Sequence, residues 1–213
     1  MADFATLRAR MVERQLRRRG ISDERVLAAM GEVPREEFVP AKLRHRAYAD
    51  GALPIAEEQT ISQPWIVAAI CQALELRGGE RVLEVGTGSG YSACVLSLLA
   101  AEVVSVERHP RLALAARETL ASLAVTNVEL IVGDGSRGVP ERAPFEAIAV
   151  HATAPAAPPA LISQLTERGR LVVPIATGKE ADLLTVLRRG GGKVETATIG
   201  PCRFVPLVGE EGF

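Results

Sequence analysis

From Arg81 onward, short β-branched runs alternate with stretches of helical spacing, and no other feature of the chain restricts its fold so tightly. Arg81–Val85 (RVLEV) is followed by a glycine-rich turn and a helical run (YSACVLSLLA). Glu102–Glu107 (EVVSVE) leads into a helix over 109–123, and residues 127–132 and Phe145–Val150 supply a third and a fourth strand. A helix over 159–165 and strands over 170–175 and 181–187 follow. Strands separated by whole helices cross over and pair in parallel, with helices covering both faces. The pattern therefore predicts an α/β chain built on an open, mostly parallel sheet.

Ahead of Arg81 the text is different. Phe4, Leu7, Met11 and Val12 recur at helical spacing, which predicts an amphipathic helix ending near Gly20. Ser22 is placed to cap a second helix carrying Val26, Ala29 and Met30. Pro34 suits the first turn of a short helix over 34–38 that Pro40 stops. Residues 1–50 thus read as a small helical extension, too short to bury a core alone, and 51–213 as the main domain. The stretch 53–62 (LPIAEEQTIS) has no sustained period and reads as a loop. Gln63, Pro64 and Trp65 then open a helix to about Leu76, with Ile66, Ala69, Ile70, Ala73 and Leu74 along one side.

Charge and cysteine usage exclude several classes. Lys+Arg number 25 against 26 Asp+Glu, a net charge of -1, so composition makes no case for nucleic acid as a partner. The arginines at 8, 10, 14, 17, 18 and 19 have helical spacing and read as a solvated face. Cys71, Cys94 and Cys202 form no CxxC pair and one is left over from any disulfide scheme, which predicts a cytoplasmic chain. The opening MADFATLRAR sets an acid and arginines where a signal peptide needs an apolar stretch, and no apolar run reaches membrane-spanning length, so no membrane partner is expected. His45, His109 and His151 sit on separate elements without ligand spacing, so no metal is expected, and no G-x-S-x-G elbow marks a serine hydrolase.

In an open parallel sheet, ligands bind at the carboxyl ends of the strands where the strand order reverses. Four segments of this chain end there. In Glu84-Val85-Gly86-Thr87-Gly88-Ser89-Gly90 the glycines permit a tight turn and close approach of a ligand, and the next helix offers free N–H groups. Glu84, just before them, is placed to meet an ammonium group such as the amino end of S-adenosylmethionine. The dinucleotide fingerprint G-x-G-x-x-G spaces its third glycine one residue later, which disfavours an NAD-linked oxidoreductase. Glu107 ends the next strand, where an acid accepts from ribose hydroxyls, and its neighbour Arg108 is counted with it. Gly133-Asp134-Gly135 forms a turn that would aim a carboxylate at an adenine amino group. His151 to Pro155 borders the reacting region, and His151 is a possible contact without an acid-base role.

Together, 84–91, Glu107 and 133–135 resemble the class I S-adenosylmethionine methyltransferases. Gln59-Thr60-Ile61-Ser62-Gln63-Pro64 resembles the signature of a narrower family, the protein-L-isoaspartate O-methyltransferases. Segments 33–40 (VPREEFVP), 53–55 (LPI), 153–155, 169–174 (GRLVVP) and 204–207 (FVPL) are similar to that family's other motifs, in order. The resemblance implies a Rossmann-like sheet of seven strands, with 204–207 as its C-terminal strand and the last two strands in an order unlike most class I enzymes. It implies S-adenosylmethionine as cofactor, held by Gly86, Gly88, Glu107, Asp134 and Gly135 within the set Glu84, Gly86–Gly90, Glu107, Arg108, Asp134 and Gly135. The implied partners are damaged proteins or peptides containing isoaspartyl residues, methylated by a monomer engaged in protein repair. Ser62 falls on the active-site position, Thr60 and Ile61 on the substrate groove, and Val205, Pro206 and Leu207 on the segment that closes the pocket over the peptide.

Two departures bear on substrate preference. Where the family has a glycine, a variable residue and a glycine before its signature, this chain has Ala56, Glu57 and Glu58, and the usual alanine run after the fourth strand is His151-Ala152-Thr153-Ala154. A methyltransferase for another carboxylate or a small molecule would keep the cofactor segments without needing the Thr60 to Ser62 groove, and a relative that binds cofactor without catalysis would result if Glu57 and Glu58 block that groove. Methyl transfer to a carboxylate needs little acid-base help, because the acceptor is already ionised near neutral pH. Ser62 is therefore expected to orient the acceptor by a hydrogen bond; its alternative task is to cap the helix that follows.

Overall fold

Asp3 accepts from Thr6 N–H and so opens the first helix, α1 (Phe4–Met11), in a computed structural model that describes residues 3–213. The rod does not stay α-helical. It continues as a π turn (Val12–Leu16) and a 3-10 turn (Arg17–Arg19) before Gly20 ends it at a φ of 93°. Arg17 pairs with Glu24 and Arg19 with Asp50, so these members of the basic run meet acids of the same chain. The cap of α2 (Glu24–Glu32) is Asp23 and not Ser22: its carboxylate accepts from the N–H groups of Arg25 and Val26. Ser22 turns its own N–H to the Gln72 side chain (2.7 Å), a partner fifty residues away that local reading cannot see. Two 3-10 turns, Arg35–Phe38 and Ala41–Arg46, complete the extension. Met11, Leu16, Met30 and Phe38 are buried in the same apolar cluster as Ile70, Leu74 and Leu96, so these N-terminal elements share one core with the residues that follow.

The stretch 53–62 is not an unstructured loop. β1 (Leu53–Pro54) pairs antiparallel with β2 (Thr60–Ile61), Leu53 opposite Ile61. Strands of two residues are too short to display a period of two, which is why the sequence does not announce them. At the tip, Glu57 and Glu58 have φ of 54° and 58°, the left-handed region. Side chains pay about 1–2 kcal/mol there, a cost that a glycine at either position would avoid.

After α3 (Pro64–Leu74) come β3 (Arg81–Val85), α4 (Tyr91–Ser97), β4 (Glu102–Glu107), α5 (Pro110–Ser122), β5 (Val128–Val132), β6 (Phe145–Val150), α6 (Pro159–Ser163), β7 (Leu165–Ile175), β8 (Asp182–Gly190) and β9 (Lys193–Cys202). The seven long strands stand in the order β5-β4-β3-β6-β7-β8-β9. Pairing is parallel from β5 through β7 and antiparallel for β8 and β9, so the last three strands run as a meander in chain order. Alternation divides the core: Val82 packs with Ala147 and Val172 on one face, Leu83 and Val85 with Val104, Ile148 and Val173 on the other. The chain reverses its winding direction between β3 and β6, and the glycine turn leaves β3 at that point.

The seventh strand is not 204–207. It is β9, an edge strand exposed over most of its length, whose KVETATIGPC carries too little apolar alternation to be read in advance. Residues 204–207 instead run extended beside the loop after β6: Thr153 N–H donates to Val205 O (2.8 Å) and Leu207 N–H to Thr153 O (2.7 Å).

Candidate active site

The turn after β3 is held by its neighbours. Gly86 N–H donates to Val106 O (2.8 Å), and Gly86, Gly88 and Gly90 all have left-handed φ, of 91°, 55° and 88°. Gly88 N–H donates to Glu107 Oε2 (2.8 Å), while Glu107 Oε1 accepts from His109 N–H (3.0 Å). The acid ending β4 is thus fixed between two backbone donors, and each oxygen keeps a lone pair for a further partner. Gly135 is needed for space, since a Cβ there would sit 2.5 Å from Val85 Cγ1.

These elements enclose a crevice of about 300 Å³. One wall is Gly86, Thr87, Gly88 and Ser89; Glu107, Arg108 and Gly135 form the next. Thr60, Ile61 and Ser62 close it from the hairpin side, and Val205, Pro206 and Leu207 from the C-terminal segment. Most of the residues singled out in the sequence therefore face one space. Glu84, Gly90 and Asp134 do not reach its wall.

Glu84 lies beneath it with no exposed surface. Ser105 Oγ donates to its Oε2, but Oε1 has no hydrogen-bond partner and stands 3.5 Å from His151 Nε2. Burial pushes the Glu84 pKa up to about 7; the Ser105 and Ser92 hydroxyls pull it back, and the charge of Glu107 adds to the rise. A buried carboxylate with one unpartnered oxygen behind the crevice wall suits a cation in the crevice, met through one water.

Asp134 is also held by backbone and side-chain donors. Its Oδ1 accepts from Ser136 N–H (2.9 Å) and Ser136 Oγ (2.7 Å), and its Oδ2 from Glu210 N–H (2.9 Å). Burial would raise its pKa; the Glu210 and Ser136 donors and the charge of Arg137 outweigh that and lower it. The carboxylate ties down the C-terminal turn, through a partner seventy-six positions away, with a lone pair of Oδ2 left over, and of the GDG turn Gly135 lines the crevice.

Ser92, on the crevice wall, had no role suggested by the sequence. Ser92, on the first turn of α4, hydrogen-bonds His151 Nε2 through its Oγ (2.9 Å). Burial pushes the His151 pKa down to about 4, so the ring is neutral near pH 7. Ser92, His151 and Glu84 resemble a nucleophilic triad in composition only, because serine and carboxylate both face the same Nε2, whereas a relay needs one on each ring nitrogen. Glu58 and Gln59 also line the crevice, carrying the substituted turn to its rim.

Ser62 does not cap α3. Gln63 occupies that position without a side-chain cap, and Ser62 Oγ has no hydrogen-bond partner among the described residues. Its carbonyl accepts from Arg35 Nη2 (2.7 Å). Thr60 and Ser62 also border a second, smaller cavity of about 200 Å³ with Gln63, Ile66, Arg203 and Phe204, so the serine stands where two spaces meet.

Comparison with known proteins agrees with this geometry. A family model described as protein-L-isoaspartate(D-aspartate) O-methyltransferase matches residues 7–212. The protein-L-isoaspartate O-methyltransferase of Koribacter versatilis (strain Ellin345) is 50% identical over 100% of this chain and 96% of its own length. That of Methanoculleus marisnigri is 53% identical over 97% of this chain and 93% of its own. A solved protein-L-isoaspartate O-methyltransferase superposes with a TM-score of 0.85 at 31% identity, covering 96% of this chain and 67% of that one. A Plasmodium falciparum chain described as a candidate enzyme of the same kind, crystallised with S-adenosyl-L-homocysteine, gives a TM-score of 0.82 at 25% identity over 98% and 99% of the two chains.

Proposed function

The chain belongs to the protein-L-isoaspartate(D-aspartate) O-methyltransferase family, and from that premise we propose that Ser62 presents the acceptor carboxylate to a cofactor seated over the Gly86–Gly90 turn. The protein is an S-adenosylmethionine-dependent methyltransferase acting on the carboxylate of isoaspartyl residues in proteins. When bound, S-adenosylmethionine supplies a methyl on a sulfonium whose sulfur leaves as a neutral thioether. Everything else falls to the chain's own groups, and the task is positioning.

The carrying observation is the unpartnered Ser62 hydroxyl at the junction of the two cavities. It is free to donate to a carboxylate arriving through the smaller space. Glu107 would accept from ribose hydroxyls with its remaining lone pairs, and Glu84 Oε1 would face the cofactor's ammonium from below. Thr60, Ile61 and 205–207 would shape the peptide's path. No base is required, because the acceptor is ionised, and neutral His151 is committed to Ser92.

The same reading treats residues 1–50 as an extension of a domain over 51–213, acting as a monomer in the cytoplasm without nucleic acid. The near-neutral charge and the three free, buried cysteines support it. Among the described residues no helix is long and apolar enough to cross a membrane. The test is methyl incorporation into paired peptides differing only in isoaspartyl or aspartyl linkage. Ser62→Ala is expected to lower turnover on the isoaspartyl peptide about 10- to 100-fold with S-adenosyl-L-homocysteine affinity unchanged; equal turnover would remove Ser62 from the site.

A further inference from the structure

Arg35 has no exposed surface, yet among the described residues no carboxylate pairs with it. Its Nε donates to Ala47 O (2.8 Å) and its Nη2 to Ser62 O (2.7 Å), while Nη1 has no partner. The guanidinium carbon lies 4.7 Å from the centre of the Tyr91 ring, and Tyr91, first residue of α4, is itself on the crevice wall. One side chain from the extension therefore touches the acceptor loop on one side and the cofactor side of the crevice on the other.

Burying a cation without a counter-ion is costly, and an apolar side chain of similar volume would fill the space without that cost. Stability alone does not explain the arginine. What it does that an apolar residue cannot is hold two carbonyls at defined distances, and one of them belongs to Ser62. We propose that Arg35 is a positioning residue for methyl transfer: by fixing the Ser62 carbonyl it fixes the backbone from which the Ser62 hydroxyl is aimed. This rests on the reading of Ser62 given above. It also gives the N-terminal extension a part in the reaction, since Arg35 meets Ser62 and Tyr91 from a 3-10 turn that packs against Tyr91 through Phe38, ring centres 5.6 Å apart.

The test is a double-mutant cycle with Arg35→Met, Ser62→Ala and the pair, and with Arg35→Lys, which keeps a cation but lacks the planar fork that spans two carbonyls. Turnover on the isoaspartyl peptide, KM for peptide and affinity for S-adenosyl-L-homocysteine are measured for each. Arg35→Met is expected to lower kcat about 10- to 100-fold, with Arg35→Lys between it and the parent and cofactor affinity within about twofold of the parent. In the Ser62→Ala background the same substitution should cost no more than about twofold further. If Arg35→Met multiplies the loss equally in both backgrounds, or leaves kcat unchanged, Arg35 is not positioning Ser62 and the proposal falls. Full turnover by Ser62→Ala alone overturns the Ser62 reading first and this one with it. Should Arg35→Met fail to fold, the Arg35→Lys arm makes the same comparison.

Discussion

Replacing Glu84 by glutamine should make the protein more stable and a poorer binder of its cofactor, with both effects dependent on pH. Glu84 is fully buried with one oxygen unpartnered, and its pKa is raised from 4.5 to about 7. Above pH 4.5 the unfolded chain has released this proton while the native state still holds it. The native state therefore binds more protons than the unfolded, and stability falls as pH rises from 4.5 to 7, then levels off. The lost stability amounts to about 1 kcal/mol at pH 5 and about 3 kcal/mol at pH 8. His151, lowered to about 4 by burial, works in the opposite sense, since its charging in the unfolded chain costs stability as pH falls below 6.5. The two slopes oppose each other between pH 4.5 and 6.5, so the parent profile conceals both. Comparing Glu84→Gln with the parent at each pH cancels the groups remote from Glu84, leaving its own titration and its coupling to His151 and Glu107. Its advantage should grow from about 1 to about 3 kcal/mol between pH 5 and pH 8, or about 5–10 °C in Tm at the upper end. Affinity for S-adenosylmethionine should fall by about 1–3 kcal/mol, the cost of leaving a charged partner unmatched. Chemical denaturation of ligand-free protein at four pH values, with calorimetric titration of the cofactor, reads both quantities. A stability difference that does not change with pH, or one that shrinks toward pH 8, would refute the reasoning.

Three other substitutions probe separate contacts. Glu107→Gln puts an amide nitrogen against the Gly88 or His109 N–H, and cofactor affinity should drop by about 1–3 kcal/mol in calorimetry while peptide KM at saturating cofactor stays near the parent value. Gly135→Ala drives a methyl to within 2.5 Å of Val85 Cγ1, and urea denaturation should register a loss of about 1–3 kcal/mol; an unchanged midpoint would show that the β3 end yields easily. Glu58→Gly relieves a left-handed backbone at φ 58° and should stabilise the fold by about 1 kcal/mol, while removal of its charge from the crevice rim should lower KM for acidic peptides more than for basic ones.

The periodic text from Arg81 to Val150 was enough to predict strands, helices and a mostly parallel sheet, because apolar alternation and glycine placement are local properties. Motif likeness added the cofactor, the acceptor chemistry and the set of residues around the crevice. Where local pattern was thin, reading fell short: the two-residue strands at 53–54 and 60–61 cannot show a period, and the exposed edge strand Lys193–Cys202 carries little of one, so the seventh strand was expected at 204–207. Roles that depend on distant partners were illegible for the same reason. Glu210 donates to Asp134, Gln72 accepts from Ser22, and Arg35 donates to the Ser62 carbonyl, and in each case the partner atom lies tens of residues away. Sequence determined which chemical groups would gather at the strand ends; tertiary packing decided which oxygens and nitrogens remained free there, because burial and long-range hydrogen bonds occupy some and leave others for a ligand.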